Sequence, residues 1–352
     1  MKIGVPKETY PDERRVALIP VVLPQLIGVG LEVLVESGAG LGAGIADDAY
    51  AESGAHLVAH RSDLFDAADI LLQVRGLGAN PDAGCPDLDL FHPDQVVLGF
   101  LNPLGVPEAM AELAQRGVTA LALELLPRIS RAQSMDALTS MATIAGYKSV
   151  LLAANTLPRM FPMMMTAAGT ITPVHVFVVG AGVAGLQAIA TARRLGGVVE
   201  AYDVRAAAQS EVESLGAKWV SLPLETEEAE GPGGYARAMD EEFYRRQREM
   251  MSRVTAENDV IITTAVAPGR KAPILLTEEM VRQMRPGSVI VDLAAEAGGN
   301  CELTRPGETV RVHQVAILGP VNLPSTVPYH ASQMYSRNLA AFLSVLVKDG
   351  NV

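Results

Sequence analysis

At roughly 150 residues per domain, 352 residues suggest two domains, and 49% hydrophobic against 19% charged residues supplies two buried cores. That excludes a disordered chain and a small disulfide-stapled fold. With 28 Lys and Arg against 40 Asp and Glu, the formal charge of -12 sets up a field that repels nucleic acid and anionic lipid, so no nucleic-acid partner is expected.

The opening run, Met1 to Glu8, holds Lys2 and a short apolar strand ending at Pro6, without the apolar stretch of an export signal. In the first 127 residues apolar runs recur at Ile3 to Val5, Glu32 to Val35, Ile70 to Val74, Val96 to Leu101 and Ala120 to Glu124. Helix-like patterns such as Pro20 to Val29 and Val106 to Arg116 lie between them. Strands alternating with helices imply a doubly wound parallel sheet covered on both faces. Breakers from Gly76 to Pro86 read as an exposed loop. The two cysteines, Cys85 and Cys301, stand far apart with no second Cys or His at ligand spacing. They read as buried thiols in a reducing compartment, and no metal is expected. His56 and His60 are four apart but read as a solvated edge.

Ser134 to Asn155 reads as a long helix leaving the first domain. The alternation then restarts at Val174 to Val179, Val198 to Asp203, Trp219 to Leu222, Asp259 to Thr263 and Ser288 to Leu293, a second Rossmann-like sheet. The helical pattern Ala331 to Val347 is too short to stand alone and is expected to return to the first domain. The expected organisation is therefore 1–137 plus 325–352 as a discontinuous domain, 138–324 as a nucleotide-binding one, and a cleft between them. The nearest approach to a membrane span, Val174 to Ala192, is interrupted by Gly residues, His175 and Gln187, so no membrane insertion is expected.

The run Val174 to Val179 leads directly into Gly180-Ala181-Gly182-Val183-Ala184-Gly185, which opens a helix: strand, GxGxxG and helix in the order a dinucleotide site needs. Gly180 makes the tight turn, Gly182 lets the backbone approach a pyrophosphate, and Gly185 packs helix on strand. A second strand ends in Asp203, eighteen residues beyond Gly185. A carboxylate there accepts ribose hydroxyls and repels a 2′-phosphate, which predicts NAD(H). Arg205 leaves NADP(H) open as an alternative, because a guanidinium could welcome that phosphate.

Two further segments carry chemistry. Arg128, Ile129, Ser130, Arg131, Gln133, Ser134 and Asp136 crowd polar groups together where the first domain hands over to the long helix, and are expected to face the cleft. They could bind a ligand's polar groups; equally, Ser130 or Ser134 could cap a helix beside solvated arginines. Glu225 to Tyr235 is acidic and then glycine-rich, followed by an amphipathic helix to Glu257. It is either a hinged flap or a disordered acidic loop.

These segments, with Phe161 to Gly169 and Val291 to Cys301, resemble the NAD(H)-binding α subunits of proton-translocating NAD(P) transhydrogenase, and the resemblance covers nearly the whole chain. It implies a homodimer, in the cytoplasm and peripheral to the inner (plasma) membrane through partner subunits. Such a subunit passes hydride from NADH to NADP+ held by a β subunit, coupled to proton movement through a membrane-spanning subunit. It places Arg128, Gln133 and Asp136 beside the nicotinamide and its ribose, with Thr139 where relatives often carry serine. Val183, Asp203, Val204, Arg205, Gly234, Gln247, Ala265 and Val266 fall at positions implied to contact NAD, and Tyr235 at the tip of a mobile loop. Met163 to Met165 reads as apolar packing.

The fold is shared with alanine dehydrogenases, which need a carboxylate clamp and an acid/base group for reductive amination. Arg15 could clamp a carboxylate. Asn102 stands where that family's catalytic His would fall and Gln73 where its substrate-binding Lys would, and neither can do the work of the residue it replaces. A non-catalytic NAD-binding redox sensor is the third reading, against which the intact Arg128 to Asp136 segment speaks.

Overall fold

The computed structural model describes residues 1–222, 241–267 and 269–347. The chain divides into two units, Met1–Met141 with Pro324–Val352, and Ala142–Leu323.

In the first unit, β1 (Lys2–Val5), α1 (Leu23–Gly28), β2 (Glu32–Glu36), α2 (Asp47–Glu52), β3 (His56–Val58), α3 (Arg61–Ala67), β4 (Ile70–Arg75), β5 (Val96–Phe100), α4 (Pro107–Gln115) and β6 (Thr119–Ala122) alternate. All six strands are parallel, in the order β3-β2-β1-β4-β5-β6. Burial on both faces accounts for near-continuous apolar strands such as β4, where five of six residues are buried. Gly76, Leu77, Gly78 and Asn80 are buried, and only the later part of the Gly76 to Pro86 segment reaches solvent, which corrects the expected exposed loop. Asn80 takes the chain back toward Thr9 rather than outward. Cys85 is exposed, not buried as expected, because it lies on this outer part; Cys301 is buried.

The long α5 (Ala137–Thr156) runs across the division between the units. It starts three residues later than the pattern suggests because Ser130–Met135 forms a 3-10 turn first. By length and composition α5, rather than Val174 to Ala192, is the one helix among the described residues that could cross a bilayer; 39% of its apolar window is buried within the protein.

The second unit continues with a hairpin, β7 (Met164–Thr166) and β8 (Gly169–Ile171), and then β9 (His175–Val179), α6 (Val183–Arg194), β10 (Val198–Tyr202), α7 (Ala208–Ser214) and β11 (Lys218–Trp219). After these come α8 (Glu241–Glu257), β12 (Val260–Thr263), α9 (Glu278–Gln283), β13 (Val289–Asp292), β14 (Thr309–Val312) and β15 (Val315–Leu318). Its seven-stranded sheet runs β11-β10-β9-β12-β13-β15-β14, parallel except for the β14–β15 edge. Alternate residues serve its two faces: Val176 and Val178 join Ile189 and Val212 in one core, while Phe177 and Val179 join Met251 and Val281 in the other. The hairpin's methionines are exposed, Met165 at 80%, which corrects the reading of Met163 to Met165 as packing. α10 (Pro328–Leu346) belongs to the first unit, where Tyr335 donates to the Gln73 carbonyl at 2.7 Å.

Candidate functional site

The second unit holds the glycine turn. Gly180 has φ +99°, left-handed backbone that a side chain would strain, and its carbonyl accepts from Thr264 Oγ1 at 3.0 Å. A Cβ on Gly185 would come within 1.8 Å of the Gly180 carbonyl oxygen, so only glycine lets α6 start there. Among the described residues a Cβ on Gly182 would meet nothing within 4 Å, so the space over the turn is open to them. Gly182 is the N-cap of α6 with no side-chain cap. The N–H groups and positive dipole end of a twelve-residue helix are thus offered to an anion. Gly146 of α5 completes this start from behind: a Cβ there would stand 2.1 Å from the Ala184 oxygen, so the two helices pass backbone to backbone.

Asp203, buried at the end of β10, receives Ala181 N–H on Oδ2 at 2.7 Å. Arg205 folds back on it: N and Nε donate to Oδ1 at 2.8 and 3.0 Å, and Nη2 to Oδ2 at 2.9 Å. The guanidinium that left NADP(H) open is therefore engaged by the carboxylate that argues for NAD(H). Val183 and Val204 are half-buried, and Val266 is exposed at the carboxyl end of β12, next to half-buried Ala265. Gln247 on α8 is buried and its side chain meets the hydroxyl of buried Tyr202. Burial pushes that phenol up to about 12. Gly234, Tyr235 and the rest of the expected flap lie outside the described residues.

In the first unit, Arg128, Ile129, Ser130, Arg131 and Gln133 form an exposed stretch, anchored by buried Ala132 and Met135 and by Asn338 Nδ2 on the Ser134 carbonyl at 2.8 Å. The cap of α5 is Asp136, not Ser130 or Ser134: Oδ1 accepts Thr139 N–H at 2.8 Å and Oδ2 accepts Thr139 Oγ1 at 2.6 Å. The serines belong to the 3-10 turn, which carries no side-chain cap. Asp136 and Thr139 thereby hold the base of the segment that displays Arg128 and Gln133.

The alanine dehydrogenase/PNT N-terminal domain matches residues 4–145 and the corresponding C-terminal domain residues 149–352. The chain belongs to the alanine dehydrogenase/PNT family. It is similar to the first portion of NAD(P) transhydrogenase subunit alpha of Rhodospirillum rubrum, 48% identical over 98% of this chain and 90% of that one. A crystal structure of transhydrogenase from Sinorhizobium meliloti aligns with TM-score 0.88 at 43% identity, covering 99% of this chain and 93% of the other. Alanine dehydrogenase of Bacillus subtilis is further away, 32% identical over 93% of this chain and 81% of its own length.

In the first unit, the residues that bear on an amino-acid site have partners within the protein. Arg15 is 3% exposed and held by Glu13, Nε on Oε1 at 2.7 Å and Nη2 on Oε2 at 2.6 Å, so its charge is already met inside the protein. Gln73 is buried and donates to Asp87 Oδ2 at 3.1 Å, while Asp87 takes a two-pronged pair from Arg61. Asn102 has φ +51° and gives its N–H to Glu124 Oε1, whose carboxyl burial pushes up.

Spacing singles out neither Gly146 nor Thr264, because both act through contacts between distant segments. Asn300 lies in a stretch that carries the family resemblance, but nothing in its pattern states a role.

Proposed function

We propose that the chain is the NAD(H)-binding subunit of a proton-translocating NAD(P) transhydrogenase. In this reading it passes hydride between NADH and NADP+ held on a partner β subunit, coupled to proton movement by a membrane-spanning subunit. The carrying observation is the open glycine turn at an uncapped helix start, with Asp203 locked beside it. That arrangement fits a dinucleotide: Gly182 leaves room for a pyrophosphate, α6 supplies N–H donors, and Asp203 accepts from the adenosine ribose where a hydroxyl replaces one of the Arg205 donors. The names of the relatives support the reaction, and the engaged Arg15 and Gln73 support it over amino-acid oxidation.

When bound, the nicotinamide supplies the hydride chemistry, so the chain's task is position. Arg128 and Gln133, with Ile129, Ser130 and Arg131, hold the nicotinamide end, while Asp136 and Thr139 keep that segment in place. Val183, Val204, Ala265 and Val266 flank the nucleotide, and Gln247 supports its binding wall from α8. Gly234 and Tyr235, which the resemblance implies contact NAD, lie outside the described residues. Domains 1–137 plus 325–352 and 138–324, a homodimer, and a cytoplasmic position peripheral to the inner membrane complete the reading.

The purified chain is expected to bind NADH and to catalyse almost no transfer until the partner's NADP(H)-binding domain is added, because docking supplies the second nicotinamide at reacting distance. Stopped-flow transfer with and without that domain decides it. Enzyme-like oxidation of NADH by the chain alone with pyruvate and ammonium would overturn the proposal.

A further inference from the structure

Asp292, the last residue of β13, is fully buried and accepts five hydrogen bonds. Thr263 Oγ1 and Ala294 N donate to Oδ1 at 2.9 and 3.0 Å; Asn300 N, Cys301 N and Thr304 Oγ1 donate to Oδ2 at 2.7, 3.1 and 2.7 Å. Burying a carboxylate is costly, and here neutral dipoles from three stretches of chain compensate it, so those stretches are tied to one point. One of them carries Asn300, itself fully buried.

The Asn300 side chain spends its groups on another loop. Its Oδ1 accepts Ala265 N–H at 3.0 Å, and Nδ2 donates to the carbonyls of Ala265 at 2.9 Å and Pro273 at 2.8 Å. One amide therefore holds both polar groups of Ala265, as a neighbouring strand would, and also the far end of the loop. That job needs an acceptor and two donors in one side chain, which an amide has and a carboxylate or hydroxyl does not.

The loop it holds borders the glycine turn. β9 and β12 are neighbours at the point where the strand order of the sheet reverses, the place where ligands of such sheets bind beyond the carboxyl ends of the strands. Thr264, next to Ala265, bonds the Gly180 carbonyl, and Val266 exposes its side chain there. We infer that Asn300, locked by Asp292, is a positioning residue that sets the Ala265–Val266 turn against the bound dinucleotide.

This rests on the NAD(H) reading, so the test begins with NADH titration of the unaltered chain: absence of binding there refutes that reading and, with it, this inference. Given binding, Asn300→Asp and Asn300→Ser are compared with Asn258→Ser. Asn258 is an equally buried amide at the amino end of β12 whose Nδ2 also makes two bonds, to Glu200 and Val254. All three are expected to lower Tm. Only the Asn300 variants are expected to raise the NADH Kd, about tenfold, and to alter the emission of bound NADH. A Kd within about twofold of the unaltered chain in folded Asn300 variants, or an equal rise in Asn258→Ser, overturns the inference. Should neither Asn300 variant fold, Thr304→Val, which removes one of the five donors to Asp292, carries the test: a several-fold rise in Kd is expected, and no rise overturns it.

Discussion

Asp203→Asn is expected to reverse the nucleotide preference rather than abolish binding. The two carboxylate oxygens accept four donors, from Ala181 and from three groups of Arg205. An amide has one acceptor oxygen, so donors on one side face an NH2 group, at a cost to stability of about 1–3 kcal/mol for each buried donor left unmet. A bond from a charged acceptor to a ribose hydroxyl contributes about 1.5–3 kcal/mol, so the NADH Kd should rise roughly 10- to 100-fold. For NADPH the sign is opposite. A carboxylate about 4 Å from one phosphate charge costs about 4 kcal/mol at an effective dielectric of about 20, and the Arg205 guanidinium offsets part of it. Removing the carboxylate removes the repulsion and releases Arg205 from it, so NADPH should bind more tightly and the ratio of the two constants should move by about two orders of magnitude. Fluorescence titration of both nucleotides with Asp203→Asn, Arg205→Ala and the double variant, alongside thermal melts, reads this directly. Arg205→Ala should keep the preference for NADH. A ratio in folded Asp203→Asn within about twofold of the unaltered chain would refute the reasoning and leave the selectivity to parts of the chain other than this pair.

Gly146→Ala should lower stability by about 1–3 kcal/mol, seen in a thermal melt, and weaken NADH, because its methyl would push α5 away from the start of α6. Arg128→Ala or Gln133→Ala should slow reconstituted hydride transfer more than it raises the NADH Kd; equal losses in both would deny them a positioning role. Burial first, then repulsion from Glu13, raises the Glu8 carboxyl from 4.5 to about 8. Its contribution to stability is thus fully present below the unfolded value and lost as pH rises through the folded one. Tm should fall between about pH 4.5 and about pH 8, with a shallower slope in Glu8→Gln.

The strands of both sheets are legible where burial on two faces makes apolar runs: Val174 to Val179 stands out as such a run, and His175–Val179 is β9. The β14–β15 edge is not legible. Its strands are four residues long, and the turn between them is His313-Gln314, both at positive φ, in place of the Asn-Gly or Asp-Gly that would mark a hairpin. The β7–β8 hairpin has every residue exposed, so it leaves no periodic trace. At the site, the glycine turn and Asp203 stand out because their spacing is set by local geometry. The folding of Arg205 onto Asp203 and the hold of Asn300 on Ala265 depend on side-chain placement in three dimensions, which spacing does not encode.

Both sheets reverse their strand order once, between β1 and β4 in the first unit and between β9 and β12 in the second, and each reversal opens a crevice at the carboxyl ends of the strands. The two crevices are used differently. After β1 the chain places Glu8, whose Oε1 accepts Val74 N–H at 2.6 Å and whose Oε2 accepts Arg75 N–H at 3.1 Å, so backbone donors at the end of β4 are already taken by the protein's own carboxylate. Arg15 beside it is likewise held by Glu13. After β9 the corresponding position is Gly180 to Gly185, where no side chain among the described residues intrudes over Gly182 and the start of α6 is uncapped. A ligand in the first crevice must displace the Glu8 carboxyl from two backbone donors; in the second, Asp203 takes only the Ala181 N–H of the glycine turn, and the start of α6 carries no side-chain cap. One topology thus leaves one open glycine turn of this kind among the described residues, and the second nicotinamide of the proposed reaction falls to a partner.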